Sequence, residues 1–211
     1  KIGFEKKFGD IGNRVVVHNI INPDKIRALS CERQDIITDT KAFNIVSVGR
    51  LAAQKGYDRL LESIYRLNGD GFCFKVYIIG DGPDKEKLIA YAEEKGISNV
   101  SFVPFQKNPY SVVAKADLFI CSSREEGYST AVSEAAVLGV PVVTTDCAGM
   151  DEIFDNGKYA LITPNSTEGI YGGLRQVLES KEKMKELEFK ANERKNFYSL
   201  GKCIGEFESV I

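Results

Sequence analysis

The segment Leu118–Thr144 reads LFICSSREEGYSTAVSEAAVLGVPVVT. It opens with four apolar residues, Leu118–Cys121, turns a polar corner, and continues from Ser129 to Leu138 as an expected helix. Gly139 supplies a helix stop, and a second β-branched run follows at Val140–Thr144. Strand, helix and strand in so short a span form a crossover unit, which joins parallel strands. Neither apolar run alternates with polar residues. Both strands are therefore expected to be covered on both faces, as in a sheet packed between helices.

The pattern extends in both directions. Brief runs rich in branched residues at Asn44–Val48, Lys75–Ile79, Val100–Val103 and Ala160–Thr163 read as further strands, bounded by Gly, Pro, Asn or Asp. Helices are expected between them at Gly56–Leu67, Pro83–Lys95, Pro109–Lys115 and Met150–Phe154. Tyr57, Leu60, Leu61, Ile64 and Leu67 recur at helical spacing, and Pro83 fits a first helical turn. The alternation predicts an α/β fold with a single Rossmann-like, doubly wound parallel sheet. After Pro164 the strands stop, and Thr167–Glu179, Lys181–Asn196 and Leu200–Val210 read as helices. The start of the chain differs. Lys1–Asn13 is weakly patterned, Arg14–His18 reads as a strand, Asp24–Leu29 as a short helix and Ser30–Lys41 as a linker. Three segments are expected: 1–41, the end of a preceding unit with its linker; 42–180, the sheet domain; and 181–211, helices that pack on the domain or return to the preceding unit.

Composition narrows the function. Of 211 residues, 43% are hydrophobic and 27% charged, an ordinary globular balance. A formal charge of −2 gives no electrostatic basis for nucleic-acid binding. No apolar run approaches the roughly 20 residues of a membrane span. Cys31, Cys73, Cys121, Cys147 and Cys203 are odd in number and lack C-x-x-C spacing, so buried free thiols are expected rather than disulfides or a zinc site. The one histidine, His18, lies ahead of the sheet domain, which leaves no nucleophilic triad to draw. No D-x-D pair occurs, so no metal clamp on a diphosphate is expected.

Ligands of an open parallel sheet bind beyond the carboxyl ends of its strands. After Asn44–Val48, the loop from Gly49 to Gly56 carries Arg50 and Lys55 just before a helix. A guanidinium grips phosphate oxygens in pairs and an ammonium adds a compact charge, which suits a diphosphate. The plainer explanation is two exposed surface cations. After Lys75–Ile79, Gly80-Asp81-Gly82 half-matches a dinucleotide fingerprint but ends on Lys85 instead of Gly, and reads better as a tight turn. After Leu118–Cys121 comes the polar corner with Glu126, then a helix start at Ser129, with Tyr128 or Ser129 as cap, whose free N–H groups near Ser129, Thr130 and Ala131 can hold an anion. Thr130 and Glu134 share a helix face, so Glu134 sits one turn, about 6 Å, below that anion site, the offset of a ribose. Glu126, before the corner, reaches a group beyond the diphosphate, such as a sugar. Alone, Glu134 is also a solvated helix residue and Glu126 a loop charge near a helix N-terminus; with Arg50 and Lys55 they converge on a nucleotide-diphosphate-sugar.

In this order the segments resemble the C-terminal donor-binding domain of GT-B fold retaining glycosyltransferases of family 4, glycosyl transferases group 1. The residues that carry the resemblance are Val48-Gly49-Arg50-Leu51 with Lys55-Gly56, Ile79-Gly80-Asp81-Gly82-Pro83, Asn99–Phe102, Ala116–Phe119, the E-x7-E pair Glu126 and Glu134, Gly139–Val143 and Gly149–Ile153. The resemblance implies that Gly49, Arg50 and Lys55 hold the donor diphosphate and that Thr130 touches phosphate. It implies that Glu134 binds the ribose, and that Glu126 with the backbone of Gly127, Tyr128 and Ser129 holds the sugar. Phe105 and Gln106 would form the base pocket. Glu126, Arg50 and Lys55 would be the catalytic set, with no metal and no cofactor beyond a UDP- or GDP-linked sugar. Phe102-Val103-Pro104 and Glu126-Gly127-Tyr128-Ser129 depart from the usual Phe-Leu-Gly and Glu-Gly-Phe-Gly. Lys1–Asn22 resembles the exit of an N-terminal domain that would bind the sugar, lipid-linked or glycan acceptor. The implied setting is cytoplasmic, with membrane contact at the inner face made through that N-terminal domain. Two other readings remain open at this stage: a pyridine-nucleotide-binding domain, and a stand-alone nucleotide-sugar-binding module that needs a separate acceptor subunit.

Overall fold

The computed structural model describes residues 21–32, 41–198 and 201. The strand expected at Arg14–His18, most of the linker and nearly all of the helix expected at Leu200–Val210 lie outside the described residues. Six strands, β1 (Phe43–Val48), β2 (Phe74–Ile79), β3 (Val100–Val103), β4 (Leu118–Cys121), β5 (Val142–Thr145) and β6 (Leu161–Thr163), form one sheet. Its order is β3-β2-β1-β4-β5-β6, and every adjacent pair is parallel.

The helices are α1 (Pro23–Ser30), α2 (Tyr57–Gly69), α3 (Lys85–Glu94), α4 (Tyr110–Val113), α5 (Thr130–Leu138), α6 (Met150–Phe154), α7 (Thr167–Glu179) and α8 (Lys181–Phe197), with a 3₁₀ turn at Ala53–Lys55. Successive strand residues point to opposite faces, so each strand feeds two cores. Ile45, Leu118 and Ile120 meet Leu60, Leu61 and Ile64 of α2 and Ile170 and Leu174 of α7 on one side. Val46, Phe119 and Val142 meet Val132 of α5 and Met150 and Ile153 of α6 on the other. Leu60, Leu61, Ile64 and Leu67 are wholly buried, each worth about 1.5–3 kcal/mol relative to exposure. Helix α1, capped by the Asn22 side chain on Lys25 N–H, packs across α4 and α5 through Ile26.

Several boundaries differ from the sequence reading. Pro83 lies in a turn and α3 begins at Lys85. Strand β5 begins at Val142, because Pro141 has no N–H to give a ladder. The chain before α2 is wound as a 3₁₀ turn that ends on Gly56 in the left-handed region. Cys121 and Cys147 are buried free thiols, but Cys31 and Cys73 are exposed, which corrects the expectation that all are buried.

Candidate active site

The strand order reverses direction between β1 and β4, and the loops leaving these two strands diverge to opposite sides of the sheet. A crevice opens there, at the switch point where open α/β sheets bind ligands. The loop after β1 carries Gly49, Arg50 and Lys55; the loop after β4 carries Ser122 to Ser129.

The two loops are fastened to each other. Ser122 Oγ donates to Lys55 O at 2.9 Å, Arg124 N to Gln54 O at 2.7 Å, and Gln54 Nε2 to Glu125 O at 3.0 Å. Gly56 lies so close to Ser122 that a Cβ would sit 2.2 Å from its carbonyl oxygen, at a φ of +64°. Arg59 Nη2 donates to that same carbonyl at 2.8 Å and to Asn165 Oδ1 at 2.9 Å. Asn165 Nδ2 donates to Arg124 O at 2.8 Å, which ties in the loop after β6. Arg124 forms a two-pronged pair with Asp58 at 2.7 and 2.6 Å, and this pairing holds the Asp58 carboxyl below its usual range. Arg59 is shifted down by its own burial and by the neighbouring Arg124.

Inside this frame, Lys55 Nζ donates to Glu126 Oε1 at 2.5 Å, and Ser123 Oγ donates to the same oxygen at 2.6 Å. The Glu126 side chain is only 9% exposed. Ser123 is itself pinned, its carbonyl accepting from Thr145 Oγ1 at 2.6 Å and Cys147 Sγ at 3.1 Å. Tyr57 closes the floor, its phenol shifted upward by burial. Thus Lys55 and Glu126, read separately from the sequence, are in direct contact.

Arg50 stands exposed at the mouth. It borders a cleft of ≈ 390 Å³ together with Val48, Gly49, Ile79, Gly80, Asp81, Phe105 and Gln106. Phe105 is 71% exposed, a large flat apolar face beside a guanidinium. Gln106 Nε2 donates to Pro104 O at 3.1 Å. The cleft floor is two loops laid on one another: Gly49 N donates to Ile79 O, Leu51 N to Asp81 O and Asp84 N to Leu51 O. Gly80, at φ +154°, comes within 1.9 Å of Gly49 O at its missing Cβ position. The half fingerprint Gly80-Asp81-Gly82 is therefore a turn that lets two strand ends touch.

Across the crevice, Ser129 is the N-cap residue of α5, yet its side chain makes no capping hydrogen bond. Gly127 and Thr130 are exposed there, and Tyr128 packs toward α1. One turn on, Glu134 is half-buried and Oε1 accepts from Tyr110 Oη at 2.7 Å. Burial raises the Glu134 carboxyl, and the Tyr110 hydrogen bond pulls the other way. Sequence reasoning missed Tyr110, Arg59, Arg124 and Asn165, since none carries a local motif. Among the described residues no group of three or more His, Cys, Asp or Glu is arranged to hold a metal ion, and no helix is long and apolar enough to cross a membrane.

Residues 31–194 match the family model described as glycosyl transferases group 1. The chain belongs to this family. It is similar to an uncharacterized glycosyltransferase of Methanocaldococcus jannaschii, 32% identical over 194 residues that cover 82% of this chain and 47% of that protein. It is also similar to the Campylobacter jejuni N-acetylgalactosamine-N,N'-diacetylbacillosaminyl-diphospho-undecaprenol 4-alpha-N-acetylgalactosaminyltransferase, at 31% identity over 85% of this chain and 48% of that one. The chain thus spans about half the length of the curated relatives it matches. Among solved structures, Anabaena HepE in complex with UDP and glucose superimposes with a TM-score of 0.79 at 18% identity, over 100% of this chain and 60% of that one. S. aureus TarM gives 0.78 at 20% identity, over 99% and 41%. At such identities these two likenesses speak for the fold, that of a Rossmann-like half of a GT-B glycosyltransferase.

Proposed function

We propose that this glycosyl transferases group 1 chain is the donor-binding part of a retaining glycosyltransferase. It takes a UDP- or GDP-linked sugar and passes the sugar to a polysaccharide or glycoconjugate acceptor. The observation that carries this reading is the Lys55–Glu126 contact, reinforced by Ser123, at the switch-point crevice. A diphosphate-sugar has its scissile bond where phosphate meets sugar, and here an ammonium meets a carboxylate. An ammonium has three donors. Lys55 can therefore keep Glu126 and still hold a phosphate oxygen, which sets Glu126 beside the sugar.

The remaining roles follow from this anchor. Arg50, Lys55, the Gly49 backbone and the open end of α5 near Thr130 surround the departing diphosphate. Charge grows on it in the transition state, so fixed cations and N–H dipoles there lower the barrier. Glu126, with Gly127, Tyr128 and Ser129, holds the sugar; Glu134 accepts from the ribose hydroxyls; Phe105 stacks on the base and Gln106 lies at its edge. No metal is called for, since side-chain cations neutralise the leaving group. The acceptor is held by an N-terminal domain, so this chain alone binds donor but transfers slowly, because proximity is lost. Relatives named for lipopolysaccharide core, teichuronic acid and O-antigen synthesis support the acceptor class, and similar solved structures in complex with UDP make UDP the first nucleotide to try.

Titration calorimetry with UDP, GDP, ADP and NAD, on the wild type and on Arg50→Ala and Glu134→Ala, tests the reading. One nucleoside diphosphate should bind and both substitutions should weaken it about tenfold or more. Binding of NAD with no response to any nucleoside diphosphate would sink the proposal.

A further inference from the structure

Glu134 has a partner with no assigned role. Its Oε1 accepts from the Tyr110 phenol at 2.7 Å, and among the described residues Oε2 takes no hydrogen bond. Tyr110 sits on α4, a helix of four residues. Its seat is built from a distance. Asn108 Oδ1 accepts from Tyr110 N at 3.2 Å, while Asn108 Nδ2 donates to Leu29 O at 3.0 Å and Glu32 Oε2 at 2.9 Å, at the end of α1. The phenol is thus carried by a helix docked on α1 and aimed at a carboxylate on α5.

We propose that Tyr110 is a positioning residue that presets the Glu134 carboxylate to read the ribose diol of the donor. The proposal rests on the ribose role given to Glu134 above. A free glutamate side chain samples several rotamers, and holding one on binding costs rotamer freedom. The phenol removes that cost beforehand. It occupies one lone pair of Oε1 and leaves Oε2 and the other Oε1 lone pair facing a diol, which needs two acceptors. Burial and the neighbouring carboxylate raise the phenol's pKa, so Tyr110 remains a donor across the working pH range. It never competes as an anion.

The test uses Tyr110→Phe, which keeps the ring and its packing. Calorimetry compares whichever of UDP and GDP binds more tightly with its 2′,3′-dideoxy counterpart, on wild type, Tyr110→Phe and Glu134→Ala. Tyr110→Phe should weaken the ribonucleotide about tenfold and the dideoxy analogue less than twofold, since only the diol uses the preset carboxylate. Equal losses for the two ligands, or no loss, while Glu134→Ala still discriminates between them, would overturn the role of Tyr110 alone. If Glu134→Ala shows no preference for losing the ribonucleotide, the ribose assignment of Glu134 fails first and the role of Tyr110 with it.

Discussion

Replacing Gly56 with alanine should cost far more stability than the same change at Gly96. Both glycines sit in the left-handed region, at φ +64° and +66°. For an L-residue this conformation costs roughly 1–2 kcal/mol, of which about 0.4–1 kcal/mol is returned by a stiffer unfolded chain. At Gly96 nothing lies within 4 Å of the added Cβ, so a net loss of about 1 kcal/mol is expected. At Gly56 the Cβ would lie 2.2 Å from Ser122 O, and both sides of that contact are backbone. Relief requires moving the loops apart by roughly 1 Å, a forced shift of the kind that costs about 1–3 kcal/mol. Gly56→Ala should therefore lose about 2–4 kcal/mol in urea denaturation at unchanged m-value. The same shift stretches Ser122 Oγ–Lys55 O and Arg124 N–Gln54 O, so nucleotide affinity should fall as well. Gly96, at the far end of α3, should leave affinity intact. Equal losses at the two sites, within about 0.5 kcal/mol, would refute the claim that close approach of these loops builds the crevice.

Three further outcomes are expected. Glu134→Gln should stabilise the free protein at pH 7 by about 0.5 kcal/mol or more while weakening nucleotide binding. A carboxyl whose folded pKa lies above its unfolded one loses stability as pH rises through that window, so thermal melts at pH 4 and pH 7 should differ less for the variant. Asp58 works in the opposite sense. Its folded pKa is depressed by Arg124, so its contribution is present above 3.8 and fades as pH falls through the folded value; Arg124→Met should flatten that acid limb in a pH series of urea midpoints. Phe105→Ala should weaken the nucleoside diphosphate by about 1–3 kcal/mol, the worth of one stacked base, and leave the melting temperature unchanged, as expected for a ring that is 71% exposed; an unchanged Kd would remove it from the base site.

The strands were legible because burial on both faces writes itself as short unbroken apolar runs, and all six lie within two residues of the sequence reading. Strand order was not, since no residue in β1 announces that its neighbours are β2 and β4. The 3₁₀ turn at Ala53–Lys55 was missed because three residues leave no periodicity to read. For the candidate site, loop position after a strand was enough to single out Arg50, Lys55 and Glu126. The contact between Lys55 and Glu126 was not legible, because the partners are 71 residues apart. The same holds for Arg59 and Asn165, 106 apart, and for Tyr110 and Glu134, 24 apart. Pairings of this kind are written in the topology, whereas single-residue chemistry is written locally.

Six residue pairs register β1 against β2, but only Ile45 with Leu118 and Val46 with Phe119 register β1 against β4. The sheet is therefore two three-stranded leaves stitched by a short seam, with α7 lying on α2 to brace them. A cut in the 107–109 connection would separate the two leaves, leaving α1 on the first piece to reach across onto α4 and α5. One piece would carry Arg50, Lys55 and Phe105, and the other both glutamates. The first piece would keep the cleft between Arg50 and Phe105, but the Lys55–Glu126 contact would be split between the two, so a nucleotide that spans both would act as adhesive, and reassembly of the pieces would serve as a gauge of how much donor is present.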